Sequence, residues 1–164
     1  MANVVLIVLS LTIGFFFILV GTLKISPVMS EEVYREMRKL FIRSAKVFPL
    51  YALTGYRPNP HLYRRVIGTT EVICGTILAI IPGPLKQVAN VILFINMCGA
   101  FYTHMSLKDP MERMTPCLIF GLLLGCRFIV HLQVRARERK ELIEAEKMAK
   151  ETGEAVTAEE KKSQ

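Results

Sequence analysis

Apolar positions along the chain collect into four long stretches, separated by polar and basic segments. The stretches cover residues 4–23, 66–81, 88–105 and 115–132. The first holds twenty residues without a charge and the last two hold eighteen each. Each of these can cross a hydrocarbon core of about 30 Å, at about 1.5 Å per helical residue. The second holds only sixteen, which the snorkelling side chains of Arg64 and Arg65 extend. The pattern predicts an all-α membrane protein, with a four-transmembrane-helix bundle in residues 1–134.

A basic segment between the first two spans, at about residues 30–53, has the pattern of an amphipathic helix. Ser30 is a suitable N-cap, and Glu31 and Glu32 follow in the first turn, where the helix dipole favours acidic groups. Apolar and basic side chains then alternate at helical spacing: Val33, Met37, Leu40, Phe41 and Phe48 against Arg35, Arg38, Lys39, Arg43 and Lys46. Such a helix lies along a membrane surface or folds onto the end of the bundle, and the pattern fits both.

The composition changes from Arg135 onward, and residues 135–164 are predicted to form a charged tail. Glu and Lys or Arg at spacings of three and four favour a continuing helix as far as Lys150. Residues 151–164 contain almost no apolar side chains and are expected to be disordered.

The second span carries a carboxylate in the middle of a close-packing stripe. Glu71 stands between Gly68 and Gly75, and spacings of three and four place these residues on one helix face. Glycines allow another helix to approach closely. Glu71 then faces that helix and not lipid, where a carboxylate is costly. Gly121 and Gly125 in the fourth span predict a second packing face of the same kind.

Counting residues along the spans predicts which buried polar groups share a depth. Lys24, His104 and Glu71 lie towards the end of the bundle that holds the basic segment, so we expect Glu71 to pair with Lys24 or His104. Arg127 and Asn90 lie towards the opposite end, and Arg127 is about 10 Å from Glu71 along the membrane normal. We expect Arg127 to bond with Asn90 or with helix carbonyls. Whether the Glu71 group is structural or contacts a partner is open at this point.

The formal net charge of +7 does not indicate a nucleic-acid partner, because the basic residues flank the spans, where membrane lipid is the neighbour. They do not fix the orientation either: nine lie from Lys24 to Arg65 and eight from Arg135 onward, on opposite sides. Lys161 and Lys162 stand fourth and third from the C-terminus, like a dilysine retrieval signal of the endoplasmic reticulum, which is read in the cytosol. This predicts a multi-pass protein of that membrane with both termini cytosolic.

Several stretches of the sequence resemble those of a known protein family. They are GFFFILVGTLKISP, EMRK, IGTTEVICG, IPGPLKQVAN, His104, LKDP and FGLLLGCR, in this order within the range from Gly14 to His131. In these stretches the chain resembles the NACHO family of nicotinic acetylcholine receptor chaperones, within the DoxX-like group of four-span proteins. The resemblance implies an endoplasmic-reticulum membrane chaperone that promotes receptor assembly and surface delivery, without catalysis. The tail from Arg135 does not share it.

The resemblance also selects candidate residues. The polar members of the matching stretches are Lys24, Glu71, Asn90, His104 and Arg127. They are candidates for buried structural contacts or for contacts to receptor subunits, and we expect no cofactor or metal. A homodimer is left open.

Two other classes compete with the chaperone. A DoxX-like membrane redox or quinone-linked protein needs a thiol pair, haem ligands or a flavin site. The cysteines Cys74, Cys98, Cys117 and Cys126 form no CxxC pair and are expected to be inert packing residues. A small transporter needs a polar path across the midplane, whereas the polar groups predicted here lie at two depths with an apolar gap between them.

Overall fold

In the computed structural model, the described residues are 2–48, 55, 58–81 and 83–162, with the side chains of residues 2–3 and 151–162 excepted. The regular elements are α1 (Ala2–Ile25), α2 (Glu31–Ser44), a short 3₁₀ helix (Ala45–Val47), α3 (Pro60–Ile80), α4 (Leu85–Ser106) and α5 (Met111–Lys162). The predicted all-α class is confirmed for this part of the chain.

Three of these helices are long and apolar enough to cross a membrane. The corresponding segments are Val4–Ile25, Leu85–Ser106 and Met111–Lys150. The helix α3 is not among them, because its 21 residues include Arg64, Arg65 and Glu71. Of the four predicted spans, three are therefore candidates for crossing a membrane by length and composition. α3 nevertheless packs against α1 and α4, as one of the four helices of the bundle.

Outer surfaces of the spanning helices are apolar. On α1 the exposed fractions are 62% at Val4, 55% at Ile7, 51% at Leu11 and 69% at Phe15. Exposed apolar side chains of this size continue along α4 and α5. A continuous surface of this kind is unfavourable in water and favourable against lipid, which supports a membrane location for the bundle.

Helices α1, α3, α4 and α5 pack in a ring, in which each contacts the next. Short turns join α3 to α4 and α4 to α5, so these neighbours run antiparallel. The buried centre combines side chains from all four: Ile13, Phe17, Cys74, Leu78, Ala89, Leu93, Met97 and Leu124. The rings of Phe16 and Phe120 stack with their centroids 3.5 Å apart and join α1 to α5.

Local sequence explains where α2 and α3 begin. Ser30 accepts a hydrogen bond from the backbone of Val33 at 3.4 Å, as an N-cap does. Asn59 accepts from the backbone of His61 at 3.0 Å, and Pro60 occupies the first position of α3, where no donor is needed. α2 ends at Ser44, earlier than the predicted boundary near residue 53. Residues 49–54 lie outside the described part.

The tail differs from the sequence-based expectation. α5 continues to Lys162, whereas composition predicts disorder from Glu151. The described side chains from Arg135 to Lys150 are all exposed, so packing does not impose this helix. Glu, Lys and Ala have high helix propensity, and a bond of 2.9 Å from Lys150 to Glu146 adds support one turn apart.

Candidate functional site

A loop-end cluster, defined as Lys24, Tyr34, Arg64 and Glu71, joins α1, α2 and α3 at one end of the bundle. The ammonium nitrogen of Lys24 donates to both carboxylate oxygens of Glu71, at 2.5 and 2.7 Å. The Glu71 side chain is 1% exposed and that of Lys24 is 12% exposed. Of the two partners expected for Glu71, the structure selects Lys24, and the pair is buried between α1 and α3.

Arg64 is the member of the cluster that sequence reasoning placed wrongly. We expected it to snorkel to the interface, but it is 2% exposed. Its guanidinium donates to the backbone carbonyl of Lys24 and to the hydroxyl of Tyr34 at 2.9 Å. The guanidinium carbon also lies 4.4 Å from the centre of the Tyr34 ring, a cation–π distance. Arg64 stands four residues before Gly68 and seven before Glu71, which is the spacing that could have identified it.

A second group lies at the same end, where α4 turns into α5. The Nδ1 atom of His104 is 2.9 Å from the carboxylate of Asp109, and Arg43 of α2 donates to that carboxylate at 3.5 Å. Lys108 adopts a left-handed conformation with φ of 52°. The turn brings the Asp109 backbone within hydrogen-bond distance of the His104 carbonyl, at 3.1 Å. His104 is thus paired with Asp109, which sequence reasoning did not select.

Two glycine pairs hold α1 and α3 at close range. A Cβ atom built on Gly75 would lie 2.8 Å from the carbonyl oxygen of Gly14, and one on Gly21 would lie 2.7 Å from that of Gly68. Real side chains do not tolerate such distances, so these positions need glycine. The pairs lie two turns apart on each helix, with Glu71 between them on α3.

The predicted second packing face is different. A Cβ on Gly121 would lie 3.7 Å from the Cβ of Met97, and one on Gly125 would lie 3.7 Å from the Phe94 ring. These are ordinary contacts, which alanine could make as well. Gly121 and Gly125 therefore do not mediate a close helix approach in this bundle, contrary to the expectation from their spacing.

A terminal-end cluster, defined as Ser10, Gln87, Asn90 and Arg127, lies towards the opposite end of the bundle. Arg127 is 2% exposed; its Nε donates to the Ser10 hydroxyl at 2.9 Å and a terminal nitrogen donates to the Gln87 amide oxygen at 3.4 Å. Asn90 donates to the backbone carbonyl of Leu124 at 3.1 Å. In place of the expected bonds to Asn90 or to helix carbonyls, Arg127 bonds to the side chains of Ser10 and Gln87.

The polar candidates thus form separate groups at the two ends of the bundle. Within the described residues, no group of three or more His, Cys, Asp and Glu side chains is placed to hold a metal ion. The Cys74 thiol is buried, and those of Cys98 and Cys126 face outward. The side chains of Lys161 and Lys162 lie outside the described part.

Comparisons with known proteins identify the family of this chain. Residues 8–126 match the model of the DoxX-like family, a range that includes the loop-end cluster and ends just before Arg127. The chain is also 34% identical over 142 residues to the novel acetylcholine receptor chaperone of Macaca fascicularis, covering 85% of this chain and 84% of that protein. The chain belongs to the family of these chaperones, within the DoxX-like group.

Two other relatives match the chain over a similar length and at a similar identity. The novel acetylcholine receptor chaperone of Mus musculus is 33% identical over 145 residues, or 87% of this chain and 86% of that protein. Its counterpart from Xenopus tropicalis is 35% identical over 131 residues, or 80% of each chain. Similarity to these DoxX-like chaperones thus extends over most of both chains.

Proposed function

We propose that this protein is a membrane chaperone of the endoplasmic reticulum, which promotes the folding, assembly and surface delivery of nicotinic acetylcholine receptors. The observation that carries the proposal is the identity of about one third to proteins named acetylcholine receptor chaperones, over more than four fifths of both chains. The apolar outer faces of the bundle support a site of action inside the membrane.

The proposed mechanism is contact between transmembrane helices. Helices in lipid associate through packing and interhelical polar contacts, and the exposed face of α1 offers Leu11 and Phe15 to a neighbouring span. Glu71, at 1% exposure and paired with Lys24, serves to hold α1 and α3 together. We assign partner contacts to the outer faces and the structural role to the loop-end cluster.

We further propose that α3 spans the membrane with α1, α4 and α5. Its three charged residues are the reason it differs from an ordinary span, and two of them, Arg64 and Glu71, bond to other helices inside the bundle. Four spans place both termini on one side, and a dilysine signal at Lys161 and Lys162 acts only in the cytosol. Residues 1–134 are then the membrane domain, and residues 135–164 are a cytosolic tail.

Co-purification tests the proposed partnership. The tagged chain and receptor subunits are co-expressed, solubilised in mild detergent and isolated on the tag, beside an unrelated tagged four-span protein of the same membrane. The proposal predicts that unassembled receptor subunits are enriched with this chain over the control. Equal recovery with the two baits would contradict it.

An absorption spectrum of the purified chain addresses the redox alternative, since a haem or flavin absorbs in the visible range.

A further inference from the structure

Arg127 is a buried cation whose described partners are all neutral. It is 2% exposed, and it donates to the hydroxyl of Ser10 and the amide of Gln87. None of the ion pairs among the described residues includes it. Leaving a buried charge without a counter-charge is strongly unfavourable. The loop-end cluster contains one carboxylate, Glu71, which pairs with Lys24, whereas the terminal-end cluster contains none.

Neighbouring residues increase the positive charge. Lys86 lies in the first turn of α4, next to Gln87, which accepts a hydrogen bond from Arg127. His131 and Arg135 follow Arg127 on α5 at intervals of four, so the three share one helix face. The first acidic residue after Arg127 on α5 is Glu138, eleven residues further on. The basic residues thus form a column that leads from the buried guanidinium towards the end of the bundle.

The start of α4 leaves one side of the terminal-end cluster partly exposed. Lys86 and Gln87 occupy the first turn of α4 and are only partly buried. The second terminal nitrogen of Arg127 donates to no described residue, since its bonds use Nε and the other terminal nitrogen. Guanidinium nitrogens bind phosphate oxygens strongly, through charge-assisted hydrogen bonds.

We propose that the terminal-end cluster binds the phosphate of an anionic phospholipid, with Arg127 as the principal ligand and Lys86 as a second cation. The acyl chains of that lipid lie against the apolar outer faces of the bundle. This site has no part in the proposed chaperone mechanism, and its existence does not depend on the receptor. The lipid phosphate supplies the negative charge that the described residues around Arg127 do not provide.

Native mass spectrometry of the full chain tests the site. The detergent-purified protein is titrated with phosphatidylglycerol and, separately, with phosphatidylcholine carrying the same acyl chains. The proposal predicts a preference for phosphatidylglycerol, and Arg127→Gln should reduce its binding by about tenfold or more. The matched control is Arg137→Gln, which removes an exposed arginine of the same helix and should leave binding unchanged.

Two further variants and a competition with inorganic phosphate complete the test. If Arg127→Gln does not fold, Lys86→Gln at the helix start must reduce the phosphatidylglycerol preference, and Arg127→Lys must retain part of it. Equal binding of the two lipids, or unchanged binding in the folded Arg127→Gln and Lys86→Gln variants, would overturn the proposal. Displacement of the lipid by an excess of inorganic phosphate would show a free-phosphate site and would also overturn it.

Discussion

At the scale of residues, burying an ammonium and a carboxylate removes both from water, at a cost of several kcal/mol per ion. The Lys24–Glu71 contact is arranged to offset that cost. Both carboxylate oxygens accept from the same ammonium group, and Arg64 donates to the backbone of Lys24 from the neighbouring helix. The attraction acts in a low-dielectric interior, where it is much stronger than in water. The pair is therefore sensitive to the loss of one partner.

A double-mutant cycle measures that sensitivity. Glu71→Leu should lower the free energy of unfolding by about 3–5 kcal/mol, because it leaves the Lys24 ammonium buried without a counter-charge. Glu71→Gln should cost less, since the amide oxygen still accepts a hydrogen bond. Adding Lys24→Met to Glu71→Leu should restore most of the loss. Unfolding in detergent gives the values, and a double variant no more stable than Glu71→Leu would contradict this account.

At the scale of elements, the contact between α1 and α3 depends on backbone proximity. The Gly14–Gly75 and Gly21–Gly68 pairs bring the two helices together, and Glu71 reaches Lys24 across that short distance. A helix pair in lipid gains its stability from such packing, since lipid provides no hydrophobic driving force between helices. The glycine pairs and the ion pair are thus parts of one contact.

Alanine substitution distinguishes the two kinds of glycine in the bundle. Gly75→Ala places a Cβ 2.8 Å from the carbonyl oxygen of Gly14, so the helices must separate, at a cost of about 1–3 kcal/mol. Gly121→Ala is the matched control, because its new Cβ meets Met97 at 3.7 Å. We expect the control to change stability by no more than about 0.5 kcal/mol. Equal melting temperatures for Gly75→Ala and wild type in detergent would refute a close contact.

The sequence predicted the buried face of α3 correctly and its partners only in part. The spacing of Gly68, Glu71 and Gly75 identifies one stripe, since helical periodicity fixes which residues share a face. Depth along the membrane normal also follows from counting residues, which left Lys24 or His104 as the partner of Glu71, and the structure shows Lys24. Counting does not give the rotation of a helix about its axis. Counting residues therefore did not predict that Arg127 bonds to Ser10 and Gln87, in place of Asn90 or helix carbonyls.

Other parts of the site depend on local conformation that the pattern does not contain. The pairing of His104 with Asp109 requires the left-handed backbone at Lys108, an uncommon state for a residue other than glycine. Arg64 was read as a flanking residue, because a charge next to a span usually remains at the interface. Its burial depends on Tyr34 of α2, whose position no periodicity predicts.

At the scale of the whole molecule, the ring of α1, α3, α4 and α5 is consistent with an even number of crossings. In the proposed four-span topology, the segment with α2 lies on one side of the membrane and the tail lies on the other. The positive-inside rule gives no preference, because basic residues occur on both sides. The proposed dilysine signal is what selects a cytosolic tail.

An epitope inserted before Glu159 tests this orientation. In intact microsomes the epitope should be digested by added protease, since a cytosolic tail is accessible from outside the vesicle. Protection of the epitope until the vesicles are opened would contradict the topology. Lys161→Ser together with Lys162→Ser should also let some protein reach the cell surface, where surface labelling detects it.

The most direct measurement of the central claim is the amount of assembled nicotinic receptor at the surface of cells, with and without this chain. Receptor subunits are synthesised at equal levels in both cases, and surface receptors are counted with a labelled antagonist. We predict more surface receptor with the wild-type chain and with Gly121→Ala, and a smaller increase with Glu71→Leu, whose bundle is destabilised. An unchanged surface count in the presence of the stable, correctly localised wild-type chain would contradict the proposed function.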